Sequence, residues 1–319
     1  MSAKTSAGNF FEDFKLGQKF IHATPRTLTE GDAALYTALY GSRFALQSSD
    51  AFARTMGHPR SPFDNLLTFH VVFGKSVPDI SLNAIANLGY AEGRIFRPVY
   101  PGATIAARSE VLGLKENSSG ESGVVYVRTA GLNEQGEVVI SFVRWVMVKK
   151  RDKAAKAGET QLPKLADAVT ADVFALPPHI RFDAYDVAQS GSPHLWNDYA
   201  IGETIDHADG VTVEEAEHQL ATRLYQNTAR VHFNQLAQSK GGFGKRLIYG
   251  GHVISMARAL SFNGLANAVS LLAINGGRHV NPLFAGDTVF AWSQVLDKAP
   301  IKGRRDCGAL RLRLVATKN

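Results

Sequence analysis

Residues 197–232, NDYAIGETIDHADGVTVEEAEHQLATRLYQNTARVH, have a counterpart earlier in the chain. Residues 12–47, EDFKLGQKFIHATPRTLTEGDAALYTALYGSRFALQ, align with them at an offset of 185 without a gap. Ten of the thirty-six pairs are identical, where chance gives roughly two. The identities include Gly17/Gly202, His22/His207, Thr27/Thr212, Glu30/Glu215 and Tyr40/Tyr225. At an offset of 184, Pro98–Thr104 then lies over Pro282–Thr288, and Ser109–Leu112 over Ser293–Leu296. The chain is a tandem duplication.

Each copy reads alike. An entry segment leads to a short amphipathic helix, with Thr27 or Thr212 expected as N-cap and Glu30 or Glu215 completing a capping box. A loop rich in Gly, Ser and Pro follows, then a more apolar helix over 66–77 or 252–263, too short to span a membrane. Strands come next: 121–131 and 137–149 around the hairpin residues Asn133-Glu-Gln-Gly136 in the first copy, and 270–275, 288–296 and 309–317 in the second. Helix followed by an antiparallel meander predicts an α+β layer in which each repeat wraps a sheet around one buried helix. Residues 151–194, rich in charge, alanine and proline, read as an exposed connector between an N-terminal repeat, 1–150, and a C-terminal repeat, 195–319.

With 319 residues, 45% hydrophobic and 20% charged, the chain is globular and long enough for two domains. A net charge of +6 permits an anionic partner, but the basic residues are scattered, so no nucleic-acid stripe emerges. One cysteine, Cys307, excludes an intrachain disulfide and suits a reducing compartment. With no leader-like or membrane-spanning apolar run, the expectation is a cytoplasmic protein. Gly241–Arg246 superficially suggests a phosphate loop, but Ser239 and Arg246 break the pattern. No spacing of Cys, His or Asp suggests a metal.

The duplicated helix-and-sheet pattern, the polar loop ending in histidine and the Pro-x-x-x-Gly-x-Thr element resemble the MaoC-like, R-specific hydratase branch of hot-dog proteins, specifically its double hot-dog members. Three longer strings, Tyr36–Arg54, Ala221–Phe233 and Tyr249–Ser255, are similar to the mesaconyl-CoA hydratase (β-methylmalyl-CoA dehydratase) group within it. The resemblance covers nearly all of the chain outside the connector. It implies a tandem hot-dog fold, reversible hydration of an acyl-CoA with no metal or redox cofactor, and a homo-oligomer.

The family motif G-D-x-N-P-x-H falls on Gln226–His232, with His232 kept and Asn227 at the aspartate. In the first copy it falls on Gly41–Gln47, where both catalytic types are gone. The second copy is therefore expected to be catalytic, and the first to shape the pocket. Hydration across a thioester-conjugated double bond needs a proton carrier and donors for an enolate-like oxygen. The assignment is His232 as carrier, Asn227 as its neutral partner, and the N–H groups of Gly250 or Gly251 as oxyanion donors, helped by the following helix. His252 is a further pocket candidate, Arg230 a candidate for an acyl carboxylate, and Asp50 and Asp64 are possible carboxylates from the first copy. An amide cannot exchange a proton at neutral pH. It would, however, avoid the roughly 4 kcal/mol repulsion between two carboxylates about 4 Å apart at an effective dielectric near 20. Two alternatives stand beside this reading: an R-specific enoyl-CoA hydratase for fatty acyl chains, and a non-catalytic acyl-CoA-binding protein.

Overall fold

Strand β1 (Lys19–Thr27) pairs antiparallel with β3 (Thr104–Glu116), which continues through β4 (Ser122–Leu132) and β5 (Val138–Lys149) to β2 (Ala84–Ile95). The computed structural model describes residues 4–155, 158–174 and 176–319. Met1–Ala3, Lys156, Ala157 and Ala175, which fall in the expected N-terminal repeat and connector, lie outside the described residues.

One face of this sheet holds helix α2 (Asn65–Ile80), entered after α1 (Glu30–Tyr40) and a loop that carries two short helical segments, Ala45–Ser48 and Asp50–Thr55. The sequence of α2, NLLTFHVVFGKSVPDI, is apolar almost all round, the pattern of a helix buried on every side. Asp64 caps it by accepting the N–H of Leu66 at 2.8 Å. Phe69 and Phe73 pack against Phe142 of β5, and Leu66, Leu67, Val72 and Ile105 close the core.

The second repeat reproduces the plan at nearly constant offset: β6 (Thr204–Thr212), α3 (Glu215–Leu224), a one-turn helix α4 (Arg230–Phe233), α5 (Gly250–Leu260), β7 (Ala273–Gly277), β8 (Thr288–Pro300) and β9 (Gly308–Lys318). Its sheet is not self-contained. β6, β8 and β9 form a three-stranded sheet, whereas β7 joins the edge of the first sheet by pairing with β2, Tyr90 opposite Gly277 and Arg94 opposite Ala273. An edge strand carries unpaired N–H and C=O groups, and β7 satisfies those of β2. The two repeats thus share a sheet, which their sequences do not announce.

One local expectation needs correction. The capping box of α1 is built by Thr29 and Asp32, not Thr27 and Glu30: Asp32 Oδ2 accepts the Thr29 N–H at 2.7 Å and the Thr29 hydroxyl at 3.0 Å. Thr27 is still in β1, where its hydroxyl meets that of Thr104 at 2.8 Å. Thr212 likewise pairs with Thr288 at 3.0 Å, and α3 starts after Glu214. Most of the described residues of 151–194 are exposed, and the segment also touches both repeats: Gln161 bridges to Leu114, the Val169 N–H donates to Asn275, and the Phe182 N–H donates to Asp306.

Equivalent residues meet where the repeats face each other. The Tyr40 and Tyr225 hydroxyls lie 2.6 Å apart, and His70 Nε2 lies 2.9 Å from Ser255 Oγ. Both pairs are 185 residues apart, so a pseudo-twofold axis passes between them. His22 and His207 are structural in the same way, each bonding a serine of the adjacent strand, Ser109 at 2.7 Å and Ser293 at 2.8 Å.

Candidate active site

Helix α3 ends at Leu224, and Gln226 then takes a positive φ of 52°, turning the chain sharply. Its counterpart Gly41 holds φ at 59°, the left-handed conformation that costs glycine little and a side chain more. This turn aims Asn227 inward. Asn227 is 4% exposed, and its Oδ1 accepts the Ala229 N–H at 3.0 Å. Its Nδ2 is buried without a partner.

The same loop places His232 on α4. Its Nδ1 donates to the Leu247 carbonyl at 2.8 Å, which fixes the tautomer and leaves Nε2 as the free lone pair. Burial pushes the imidazole down to about 4, with His279 adding to the effect and the Leu247 bond opposing it. His232 is therefore neutral at physiological pH, with its Nε2 unprotonated. Asn227 makes no hydrogen bond to His232; the Leu247 carbonyl, rather than the amide, orients the ring.

Tyr249, Gly250 and Gly251 open α5 beside this histidine, with the Tyr249 ring 5.4 Å from that of His232. The N–H groups of Gly250 and Gly251 have no hydrogen-bond partner among the described residues, as expected for a helix N-terminus. Both glycines are demanded by contact. A Cβ on Gly250 would lie 2.3 Å from the His279 ring, and one on Gly251 would lie 2.6 Å from the His70 ring.

Two further histidines belong to the cluster and were not singled out by sequence. His218 on α3 accepts the Tyr249 N–H at Nε2, 2.8 Å away, and so positions the residue before the glycine pair. Its proton must then sit on Nδ1, which is buried and unpartnered. His218 also packs edge-on against His232, ring centroids 5.9 Å apart. His279 covers Gly250 from the loop after β7. A usable signal existed: the position equivalent to His218 is Ala33, and that equivalent to His279 is Arg94, so the second copy alone is enriched in imidazoles here.

The remaining candidates separate. His252 is 1% exposed and bonded through Nδ1 to the Tyr40 hydroxyl at 2.9 Å, in the tyrosine chain between the repeats. Burial pushes it down to about 4. Arg230 is exposed and forms no ion pair among the described residues. Asp50 accepts the Ser61 N–H and faces Arg54 and Arg60, so it is spent locally. Asp64 caps α2 near Arg258, on the first copy's side of the axis. Burial raises the Cys307 thiol to about 11, the state of an inert packed cysteine. Among the described residues no group of three or more His, Cys, Asp or Glu is placed to hold a metal, and no helix is long and apolar enough to cross a membrane.

Known proteins resemble this chain over its whole length. A family model described as mesaconyl-CoA hydratase matches residues 2–319. The chain is 62% identical to a β-methylmalyl-CoA dehydratase of Chloroflexus aurantiacus over 319 residues, covering all of this chain and 91% of the relative. It is also 62% identical to a mesaconyl-CoA hydratase of Cereibacter sphaeroides over 316 residues, covering 99% of this chain and 91% of the relative. A solved MaoC domain protein dehydratase of Chloroflexus aurantiacus superposes with a TM-score of 0.98 at 61% identity, over 100% of this chain and 91% of that one. A Mycobacterium tuberculosis protein described as a double hot-dog fold superposes at 0.80 with 27% identity, over 98% of this chain and 92% of that one. The chain therefore has the double hot-dog fold, is an enzyme of the hydratase/dehydratase class, and belongs to the mesaconyl-CoA hydratase family.

Proposed function

We propose that the chain catalyses the reversible hydration of mesaconyl-CoA to β-methylmalyl-CoA, as a cytoplasmic homo-oligomer using no metal or redox cofactor. The observation that carries the reading is the pairing of a neutral, tautomer-fixed His232, its Nε2 free, with two unengaged N–H groups at the start of α5. In the hydration direction, His232 Nε2 takes a proton from water as the water oxygen bonds to Cβ. The electron pair displaced from the double bond moves to the thioester oxygen, which the Gly250 and Gly251 N–H groups and the positive end of α5 stabilise. The imidazolium then returns the proton to Cα. One carrier serving both steps must work from one face, so water adds syn.

Asn227 offers an N–H donor to the water or substrate and adds no negative charge beside a dicarboxylic acyl group. His218 positions Tyr249 and through it the donor pair. In this scheme 195–319 performs the chemistry, 1–150 shapes the pocket and 151–194 joins them. The test is direct: mix pure protein with mesaconyl-CoA and follow loss of the unsaturated thioester absorbance, with crotonyl-CoA in parallel. Turnover of mesaconyl-CoA in preference to crotonyl-CoA is expected. Turnover of crotonyl-CoA alone would select a fatty acyl hydratase, and binding without turnover a non-catalytic acyl-CoA protein.

A further inference from the structure

Helix α2 of the first repeat lies directly against the motif of the second. A Cβ on Gly74 would fall 1.9 Å from the Tyr225 carbonyl oxygen and 3.2 Å from the Asn227 nitrogen, so this helix face touches the turn that aims Asn227. The next residue, Lys75, is 4% exposed. Its ammonium donates to Gln226 Oε1 and lies 3.4 Å from Thr24 Oγ1, both neutral acceptors. Among the described residues it has no carboxylate within ion-pair distance, and the charged neighbour it feels is Arg26, a second cation that is itself paired with Asp32.

A buried ammonium with no counter-ion is unfavourable unless something supplies the charge. The surroundings show where that charge would enter. Lys75 lines a cleft of 560 Å³, a size suited to part of a small-molecule ligand, shared with Arg223, Gln226, Asn227 and Phe233. No acidic side chain lines it. Among its lining residues the one buried donor without a partner is Asn227 Nδ2, and the Lys75 ammonium and Arg223 guanidinium put positive charge on the same wall. In the repeat, the residue equivalent to Lys75 is Leu260, so the second copy's helix offers the degenerate loop no such cation.

We propose that Lys75, delivered from the non-catalytic repeat, binds the free carboxylate of the dicarboxylic acyl group and selects it over an uncharged acyl chain. Asn227 Nδ2 is the second donor to that carboxylate, and Arg223 draws it toward the cleft. The inference rests on the reading of the substrate as a dicarboxylic acyl-CoA. It assigns Lys75 to specificity rather than to proton transfer, and it replaces the exposed Arg230 as the carboxylate's partner.

A phosphate of CoA is the other source of a matching anion, and three non-reacting ligands separate the two: methylsuccinyl-CoA, which carries the carboxylate, butyryl-CoA, which lacks it, and free CoA. Their dissociation constants are measured by calorimetry for the wild type, Lys75→Met and Lys75→Arg, with circular dichroism as the check on folding. The expected result is a loss of about 30-fold or more for methylsuccinyl-CoA in Lys75→Met, as for removal of a charge-assisted bond. Butyryl-CoA and CoA should change less than about threefold, and Lys75→Arg should recover most of the loss. Parallel loss for all three ligands would move the cation to the CoA moiety and overturn the proposal, as would no loss for any. If Lys75→Met does not fold, the Lys75→Arg and Lys75→Gln pair gives the same comparison. Failure of the wild type to turn over mesaconyl-CoA, with its preference for methylsuccinyl-CoA intact, would refute the hydratase reading and leave this assignment standing.

Discussion

The loop after α1 and the loop after α3 begin identically and end differently. Both follow a helix closing on tyrosine, Tyr40 or Tyr225, whose hydroxyls touch across the pseudo-twofold axis. Both then turn through a left-handed residue, Gly41 or Gln226. Six positions later the first loop carries Gln47, whose amide donates to the Val269 carbonyl at 3.1 Å, and the second carries His232, which donates to the Leu247 carbonyl at 2.8 Å. The backbone role, a side-chain N–H given to a carbonyl, is kept in both. What differs is the free end: an amide oxygen buried without a partner in Gln47, a titratable nitrogen in His232. Duplication preserved the scaffold of two loops, and the imidazoles cluster at only one of them.

The largest expected effect comes from erasing that difference. His232→Gln installs the first loop's residue, keeps a donor for Leu247 and removes the proton carrier; kcat for mesaconyl-CoA hydration should fall about 10³-fold with little change in melting temperature. Turnover near the wild-type rate in the folded variant would remove His232 from the mechanism.

Acid should distinguish the loops next. His70, His218, His232 and His252 are all held far below the ordinary histidine value by burial, His232 and His252 at about 4. In the unfolded chain each takes a proton near pH 6.5. Between those values the unfolded state binds more protons, so stability that is full above pH 6.5 drains as pH falls toward 4, by up to about 1.4 kcal/mol per unit for each fully buried ring. Three of the four belong to the second repeat. Hydrogen exchange at pH 5 should therefore show residues 225–232 and 249–252 losing protection before 41–49; simultaneous loss would mean that the imidazole cluster does not govern acid sensitivity.

The smallest effect tests the turn itself. Gly41→Gln imposes on the first loop the side chain that the second tolerates, and the space around its Cβ is open, so only the left-handed backbone opposes it. A loss of about 1 kcal/mol in denaturant unfolding is expected, with activity unchanged. No loss would mean that the turn is less constrained than its φ implies.

Much of this molecule was legible in order along the chain. The 185-residue repeat foretold two copies of one helix-and-sheet unit, because apolar periodicity and turn residues are local properties that duplication carries intact. The apolar helices, the β4–β5 hairpin and the motif around His232 were readable for the same reason. The N-cap of α1 was misread by two residues because Thr27 and Thr29 are both competent caps, and only strand pairing with Thr104 decides between them. Other features depend on residues far apart in sequence. β7 leaves its own repeat because the edge of β2 is open to it. Leu247 orients His232, His218 holds Tyr249, and Lys75 of one copy lines a cleft together with Asn227 of the other. Sequence determined which groups are present and the local shapes they adopt. Only the tertiary structure decided which of them lose water together, and burial is what holds His232 neutral and leaves Lys75 without a counter-ion.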